Sequence, residues 1–177
     1  MTKTCPTGRP IESLGELLAH ALRIEEEAEE RYLVLADQME THNNPELAKL
    51  FRDFAGHEKK HGQSIRRMMA NLPVPDLKPW EFKWGGPESP EMVDIGQIHY
   101  RMTPWHALQL ALAAEQNAFA FFDRIAECNA DPELKRWARE FATEEDEHVK
   151  LVLRELAKYP RPEGNWDDDP DPPTVQE

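Results

Sequence analysis

The chain has 177 residues, which is enough for one domain with a sizeable core. Charged residues make up 31% of the sequence and hydrophobic residues 40%, a balance that excludes an intrinsically disordered chain. The formal net charge of -13 argues against nucleic acid or a membrane surface as a partner, because both attract basic proteins.

Four long segments have the apolar periodicity of helices. Their starts carry capping signals: Ser13 and Glu16 have the spacing of a capping box, and Thr103 and Asp131 are N-cap residues followed by proline. The predicted helices are 13–41, 45–72, 103–129 and 131–158.

Short loops join the first helix to the second and the third to the fourth, which predicts two antiparallel hairpins. Residues 73–102 contain five prolines and read as one long extended crossover between helices two and three. We expect its aromatic residues Trp80, Phe82 and Trp84 to pack on the bundle. The sequence thus predicts an all-α antiparallel four-helix bundle. Its predicted parts are an N-terminal extension (1–12), the bundle (13–158) and an acidic, proline-rich, poorly ordered tail (159–177).

The two predicted hairpins are similar in sequence. A displacement of 90 residues aligns helix one with helix three, and a displacement of 87 aligns helix two with helix four. Similarity at a fixed spacing indicates one structural unit used twice. The aligned pairs include Glu25 with Glu115, Tyr32 with Phe122, Glu58 with Glu145, and His61 with His148.

Each predicted helix carries one glutamate within its apolar stripe, and helices two and four add a histidine one turn later. Four carboxylates in a bundle core repel one another and lose hydration, at a cost of several kcal/mol for each unpaired charge. Two divalent cations would neutralise them, with the imidazoles as neutral ligands. The predicted metal ligands are Glu25, Glu58, His61, Glu115, Glu145 and His148. Oxygen and nitrogen donors suit iron or manganese, and zinc also binds them.

Two other interpretations of these charges exist: a solvated helix face, and a buried acidic network without metal. No Lys or Arg lies on the stripes at the same level, so we expect no internal counter-charge. The neighbouring acidic residues Glu26, Glu27, Glu144 and Glu147 are expected to be solvated. His57 lies off the stripe, and we expect the remaining histidines to be surface or packing residues: His20, His42, His99 and His106.

Tyr32 is the one further polar residue on a predicted core face, two turns after Glu25. A buried tyrosine hydroxyl needs a hydrogen-bond partner. Tyr32 is therefore a candidate catalytic residue that would hydrogen-bond a ligand carboxylate or deliver a proton. The alternative is a packing aromatic, like Phe122 at the aligned position.

Cysteine content and hydropathy set further limits. Cys5 and Cys128 are the only cysteines, which excludes a disulfide framework, a zinc–thiolate site and a rubredoxin-type iron centre within this sequence. No apolar run approaches the roughly 20 residues that span a bilayer, and the first residues have no apolar signal-peptide core. We therefore expect a cytoplasmic location.

The pattern resembles the ferritin-like superfamily, and within it the rubrerythrin group, over residues 13–158. The resemblance implies a non-haem centre of two iron ions bridged by Glu58 and Glu145. Terminal ligands would be Glu25, Glu115, His61 and His148. It also implies an oxidoreductase that acts on hydrogen peroxide or dioxygen with oxidation of Fe(II), and a homodimer.

Two features depart from the rubrerythrin pattern. The four-cysteine rubredoxin domain is missing, so a separate protein would have to donate electrons. Ala118 stands where rubrerythrins carry a second glutamate that moves iron during the redox cycle. Two alternatives therefore remain: a ferritin-like ferroxidase for iron storage or detoxification, which needs a hollow cage, and a non-catalytic dinuclear metal-binding module.

Overall fold

The structure is a computed structural model that describes residues 10–85, 89–90 and 102–162. It contains four α-helices: α1 (Leu14–Thr41), α2 (Pro45–Met69), α3 (Pro104–Cys128) and α4 (Pro132–Leu156). A 3-10 turn, Pro79–Glu81, lies in the crossover, and the described residues form no strand. The predicted all-α bundle is confirmed. Most of the N-terminal extension and of the acidic tail lies outside the described residues, so those predictions stay predictions.

The helix starts follow from local capping. The Ser13 hydroxyl accepts a hydrogen bond from the Glu16 backbone N–H at 3.1 Å. The second half of the predicted capping box is different, because the Glu16 carboxylate accepts from the N–H of Glu12 at 2.8 Å. At the start of α4, Asp131 Oδ1 accepts from the N–H of Glu133 at 2.8 Å. These bonds satisfy N–H groups that have no partner within the helix.

Two helices end slightly earlier than predicted, at Met69 and Leu156. After each end the chain makes tighter turns, in which the N–H of Leu72 bonds the carbonyl of Met69, and that of Tyr159 bonds the carbonyl of Leu156. Such short-range bonds are common where the last helical turn tightens.

Ion pairs between α1 and α2 show that this hairpin is antiparallel. Arg66 Nη2 lies 2.6 Å from Glu26 Oε1, and Lys59 Nζ lies 3.2 Å from Glu29 Oε1. Residues later in α1 thus meet residues earlier in α2. The main helix contacts are α1 with α2 and α3 with α4, as the two predicted hairpins require.

The bundle has two apolar clusters, separated along every helix by charged residues. One combines the start of α1 and α4 with the end of α2 and α3, and the other combines the opposite ends. Helices α1 and α4 therefore run in one direction and α2 and α3 in the other, as the single long crossover predicts. Representative members are Leu18, Phe122 and Phe141 in the first cluster, and Leu35, Phe51 and Leu108 in the second.

His20 attaches the crossover to the bundle. Its ring is fully buried, its Nδ1 lies 2.8 Å from the Glu16 carbonyl oxygen, and its Nε2 accepts from the N–H of Lys83 at 2.8 Å. Phe82 and Trp84 pack edge-on against the ring. This confirms packing for these two aromatics and for His20, and burial lowers the pKa of the His20 ring.

One detail of the crossover corrects a prediction, and another explains the glycine at position 15. Trp80 is 82% exposed, so the prediction that it packs on the bundle is wrong. Gly15 meets the crossover so closely that a Cβ atom there would overlap the carbonyl oxygen of Pro73. None of the described helices has the length and low polarity needed to cross a membrane.

Candidate metal centre

The structure places the six predicted ligands in one interior layer between the two apolar clusters. All four glutamates and His148 are buried, whereas the His61 side chain is 32% exposed. Each helix contributes because its charged residue occupies the position that an apolar residue would take in the stripe. The helices thus bring together side chains that are far apart in sequence.

Glu58 lies at the centre of this layer. Its Oε2 is 3.7 Å from His61 Nδ1, and its Oε1 is 3.5 Å from His148 Nδ1. The two imidazole rings are parallel, with centroids 5.2 Å apart and an interplanar angle of 4°. One carboxylate therefore faces both histidines, which is the arrangement that a bridging ligand needs.

The remaining carboxylates divide between the histidines. Glu25 Oε2 lies 3.7 Å from His61 Nδ1. On the other side, His148 Nδ1 lies 3.3 Å from Glu115 Oε2 and 3.6 Å from Glu145 Oε2. Three sets of donor atoms, each within 4.8 Å of one another, offer room for a metal ion: Glu58, His61 and His148; Glu115, Glu145 and His148; and Glu25, His61 and Glu144.

The donor set fits a pair of metal ions. The Nδ1 atoms of His61 and His148 are buried and have no hydrogen-bond partner among the described residues. Buried polar atoms without a partner are rare and call for an explanation such as an ion. Carboxylate oxygen and imidazole nitrogen are also the donors that iron and manganese accept.

Arg31 is a buried residue of this site that the sequence analysis missed. Its side chain is only 3% exposed, and its Nη2 lies 2.9 Å from Glu115 Oε1. The expectation of no internal counter-charge is therefore wrong. Arg31 lies next to the apolar stripe, not on it, and reaches the core because its side chain is long. The single positive charge of one guanidinium does not balance the charge of four carboxylates.

Tyr32 makes the predicted hydrogen bond to a candidate ligand. Its hydroxyl donates to Glu115 Oε1, the same oxygen that Arg31 contacts. The tyrosine ring packs edge-on against Phe54, and the Arg31 guanidinium carbon lies 4.5 Å from its centroid. Glu115 is thus held by one oxygen, while its Oε2 faces His148.

Burial and mutual contact shift the pKa values of the cluster. Burial raises the pKa of Glu58 to about 7 and that of Glu145 to about 8, with Glu115 adding repulsion in both cases. Burial would lower the pKa of His148, but the facing carboxylates of Glu115 and Glu145 outweigh it and raise that pKa to about 11. Without metal, the cluster therefore holds protons at neutral pH.

The pKa values of two other candidate ligands, Glu115 and His61, are lowered. Burial would raise the pKa of Glu115, but His148, Arg31 and Tyr32 outweigh this effect and lower it. The pKa of His61 is lowered by burial and by the neighbouring charge of His148. His61 is thus ready to act as a neutral ligand.

The acidic residues beside the site differ in exposure. Glu144 and Glu147 are exposed as expected, and Glu26 is half-buried in its ion pair with Arg66. Glu27 contradicts the prediction: its side chain is 11% exposed and its Oε1 pairs with Arg23 at 2.6 Å. Glu27 also lines a cavity between α1 and the crossover.

The structure also describes other residues named in the sequence analysis. His57 is exposed and lines a narrow cleft that also touches Glu58, His148 and Leu151. His106 is buried at the start of α3, where its Nδ1 accepts from the N–H of Thr103 at 3.2 Å. His99 and Cys5 lie outside the described residues. Ala118, at the position of the absent second glutamate, is fully buried in the first apolar cluster.

Comparison with known proteins agrees with this architecture. A solved structure of an uncharacterized conserved protein from Magnetospirillum magnetotacticum MS-1 is 41% identical to this chain. The match covers 87% of this chain and 100% of the other, with a TM-score of 0.71. No curated protein matches the sequence. The family model described as Rubrerythrin matches residues 16–156, and the chain therefore belongs to the Rubrerythrin family of ferritin-like di-iron proteins.

Proposed function

We propose that the protein is a non-haem di-iron oxidoreductase that acts on hydrogen peroxide or dioxygen with oxidation of Fe(II). One observation carries the proposal. Four helices bring four carboxylates and two imidazoles together, and both imidazoles direct a buried Nδ1 without a hydrogen-bond partner among the described residues at carboxylate oxygens. Membership of the Rubrerythrin family supports iron as the metal.

The geometry suggests a role for each candidate ligand. Glu25 and His61 would hold one ion, and Glu115 and His148 would hold the other. Glu58, which faces both histidines, would lie between the ions. Glu145 faces His148, and we assign it the same role because it is the repeat partner of Glu58. Two ferrous ions held there would supply the electrons that reduce the oxidant.

The chain itself controls protons and water around the site. The two apolar clusters on either side shield the carboxylate layer from bulk water, except at His61, whose side chain is 32% exposed. The Tyr32 hydroxyl, oriented by Glu115, holds a proton within the site. The cleft beside His57 and Leu151 is narrow, which suits a small oxidant such as hydrogen peroxide or dioxygen.

The electron source and the assembly are also part of the proposal. Two cysteines in this sequence cannot supply the four thiolates of a rubredoxin iron, so we propose a separate electron-donor protein. We also propose a homodimer rather than a hollow cage, on family resemblance alone. Light scattering of the purified protein would separate a dimer from a cage.

The direct test is Fe(II) oxidation by the loaded protein. Metal-free protein is loaded anaerobically with two equivalents of Fe(II), mixed with hydrogen peroxide or air-saturated buffer, and followed by near-ultraviolet absorption. We expect oxidation to be much faster than that of free Fe(II) in the same buffer. A Glu145→Ala variant, treated identically, should lose this acceleration.

Two results would contradict the proposal. Oxidation no faster than that of free Fe(II) would exclude the oxidoreductase function. Native protein that retains a redox-inactive metal at full occupancy, and shows no oxidation after iron loading, would favour a non-catalytic metal-binding module.

A further inference from the structure

Glu144 is close to the candidate metal centre, although it is not one of the six predicted ligands. One of its carboxylate oxygens and ligand atoms of Glu25 and His61 all lie within 4.8 Å of one another. These three residues come from α4, α1 and α2. Two carboxylates and one imidazole are a donor set for a divalent cation such as Fe(II).

This group marks the end of the site that is open to solvent. Glu144 is exposed, and the His61 side chain is 32% exposed, whereas that of His148 is 11% exposed. A hydrated cation can therefore reach the Glu144 carboxylate without displacing the apolar clusters, and the buried Nδ1 of His61 lies one step further in.

The opposite end of the site is less open to a hydrated cation, although the narrow cleft beside His57 approaches it. Arg31 and Tyr32 cover Glu115, and their side chains are almost completely buried. The Arg31 guanidinium also repels a cation that approaches from this direction. Bulk and charge therefore both favour entry past His61.

A short path leads from the open end to the interior. His61 Nδ1 is 3.7 Å from Glu25 Oε2 and also 3.7 Å from Glu58 Oε2. A cation held by Glu144, Glu25 and His61 could exchange the outer carboxylate for Glu58 while it keeps two of its ligands.

We propose that Glu144, Glu25 and His61 form a loading site that captures a divalent cation from solvent and passes it to the interior pair of sites. This inference rests on the proposed metal centre and adds to it an entry route and a fifth carboxylate. Glu144 is a transient ligand in this scheme and is released when the ion moves inward.

The test compares two variants of α4 in their rate of metal uptake. Metal-free protein is mixed with Co(II), and the visible absorption of the bound ion is followed by stopped flow. Glu144→Gln should slow uptake about tenfold, because a steering carboxylate at an entry site controls the association rate. Glu147→Gln is the matched control, since Glu147 is exposed on the same helix and carries the same charge. Its uptake rate should stay within about twofold of the parent protein.

The final stoichiometry distinguishes the outcomes. We expect two bound Co(II) ions in both variants, with circular dichroism confirming equal helix content. Equal uptake rates in Glu144→Gln and Glu147→Gln would overturn the loading site and leave the proposed metal centre intact. Loss of one ion from Glu144→Gln would also overturn it, because Glu144 would then be a permanent ligand. If the parent protein binds no pair of ions, the proposed function itself fails.

Discussion

The two hairpins of this bundle carry the same ligand pattern in different surroundings. In the C-terminal half, His148 is buried among Glu58, Glu115 and Glu145. In the N-terminal half, His61 is one-third exposed and contacts Glu25 and Glu58. Equal spacing along the sequence therefore produces two unequal halves of one site.

The inequality comes from few residues. The N-terminal hairpin supplies Arg31 and Tyr32, and both contact Glu115 of the other hairpin. The aligned residues of the C-terminal hairpin are Phe121 and Phe122, which have no polar group to offer Glu25. A duplicated scaffold can thus keep its ligands in place while side chains next to them separate the roles of the two halves.

The largest expected effect is the loss of metal when a central carboxylate is removed. Glu58→Ala and Glu145→Ala should each reduce the metal content below two ions, because each would remove a proposed bridging carboxylate. Metal analysis after anaerobic iron loading measures this. Glu140→Ala, an exposed carboxylate of α4 paired with Arg136, is the control and should retain both ions. Two ions in all three variants would refute the ligand assignment.

The shifted pKa values of the site also predict how the stability of the metal-free protein depends on pH. Glu58 and Glu145 have raised pKa values of about 7 and 8 in the fold, and His148 has one of about 11. The folded metal-free protein therefore binds more protons than the unfolded chain between pH 6.5 and 9. Its free energy of unfolding should fall by several kcal/mol as pH rises through this range.

Urea unfolding at pH 6.5, 7.5 and 8.5 would test this pH dependence. Metal-free protein should lose stability across the series, whereas zinc-loaded protein should show a weaker trend because the metal displaces these protons. Zinc binding to metal-free protein at pH 7 should also release protons. A metal-free protein whose stability is constant or rises with pH would contradict the raised pKa values.

Arg31→Met would remove the buried cation of the N-terminal half. The metal-free variant should lose about 3–5 kcal/mol of stability, because the buried Glu115 carboxylate would lose the guanidinium that balances its charge. Zinc should stabilise this variant more than the parent, since the metal would replace the lost charge. Paired urea unfolding curves measure both effects.

The control for Arg31 is Arg124→Met, since Arg124 contacts the Trp84 carbonyl at 3.2 Å and lies away from the cluster. Zinc should stabilise this variant and the parent equally. If zinc stabilises Arg31→Met no more than it stabilises Arg124→Met, the Arg31 guanidinium and the metal do not neutralise the same carboxylates.

Exchange of the aligned aromatics gives the smallest predicted effect. Tyr32→Phe should cost about 2 kcal/mol, because Glu115 loses a charge-assisted hydrogen bond. It should also slow Fe(II) oxidation if the hydroxyl handles a proton. The converse variant, Phe122→Tyr, places a hydroxyl in a buried site, where an unpaired polar group costs about 1–3 kcal/mol.

Urea unfolding and stopped-flow oxidation of these two variants would separate the roles of Tyr32. A loss of stability without slower oxidation in Tyr32→Phe would make the tyrosine a positioning residue for Glu115. Unchanged stability in Tyr32→Phe would show that the hydrogen bond contributes little.

The sequence by itself determined the helices, the topology and the set of residues in the central layer. Helix starts depend on residues a few positions apart, such as Ser13 and Glu16, and the stripes depend on a fixed angular period. A charged residue such as Glu58 within an apolar stripe must face the interior, whatever the detailed packing. Local rules therefore sufficed for these features.

Only the tertiary structure decided which side chains join the site from outside the stripes. Arg31 enters the core and Glu144 approaches His61 because of how neighbouring helices pack, and no spacing within one helix encodes those distances. The exposure of Trp80 depends likewise on the path of the crossover. Long side chains reach across helix boundaries, so their partners are set by the assembled bundle.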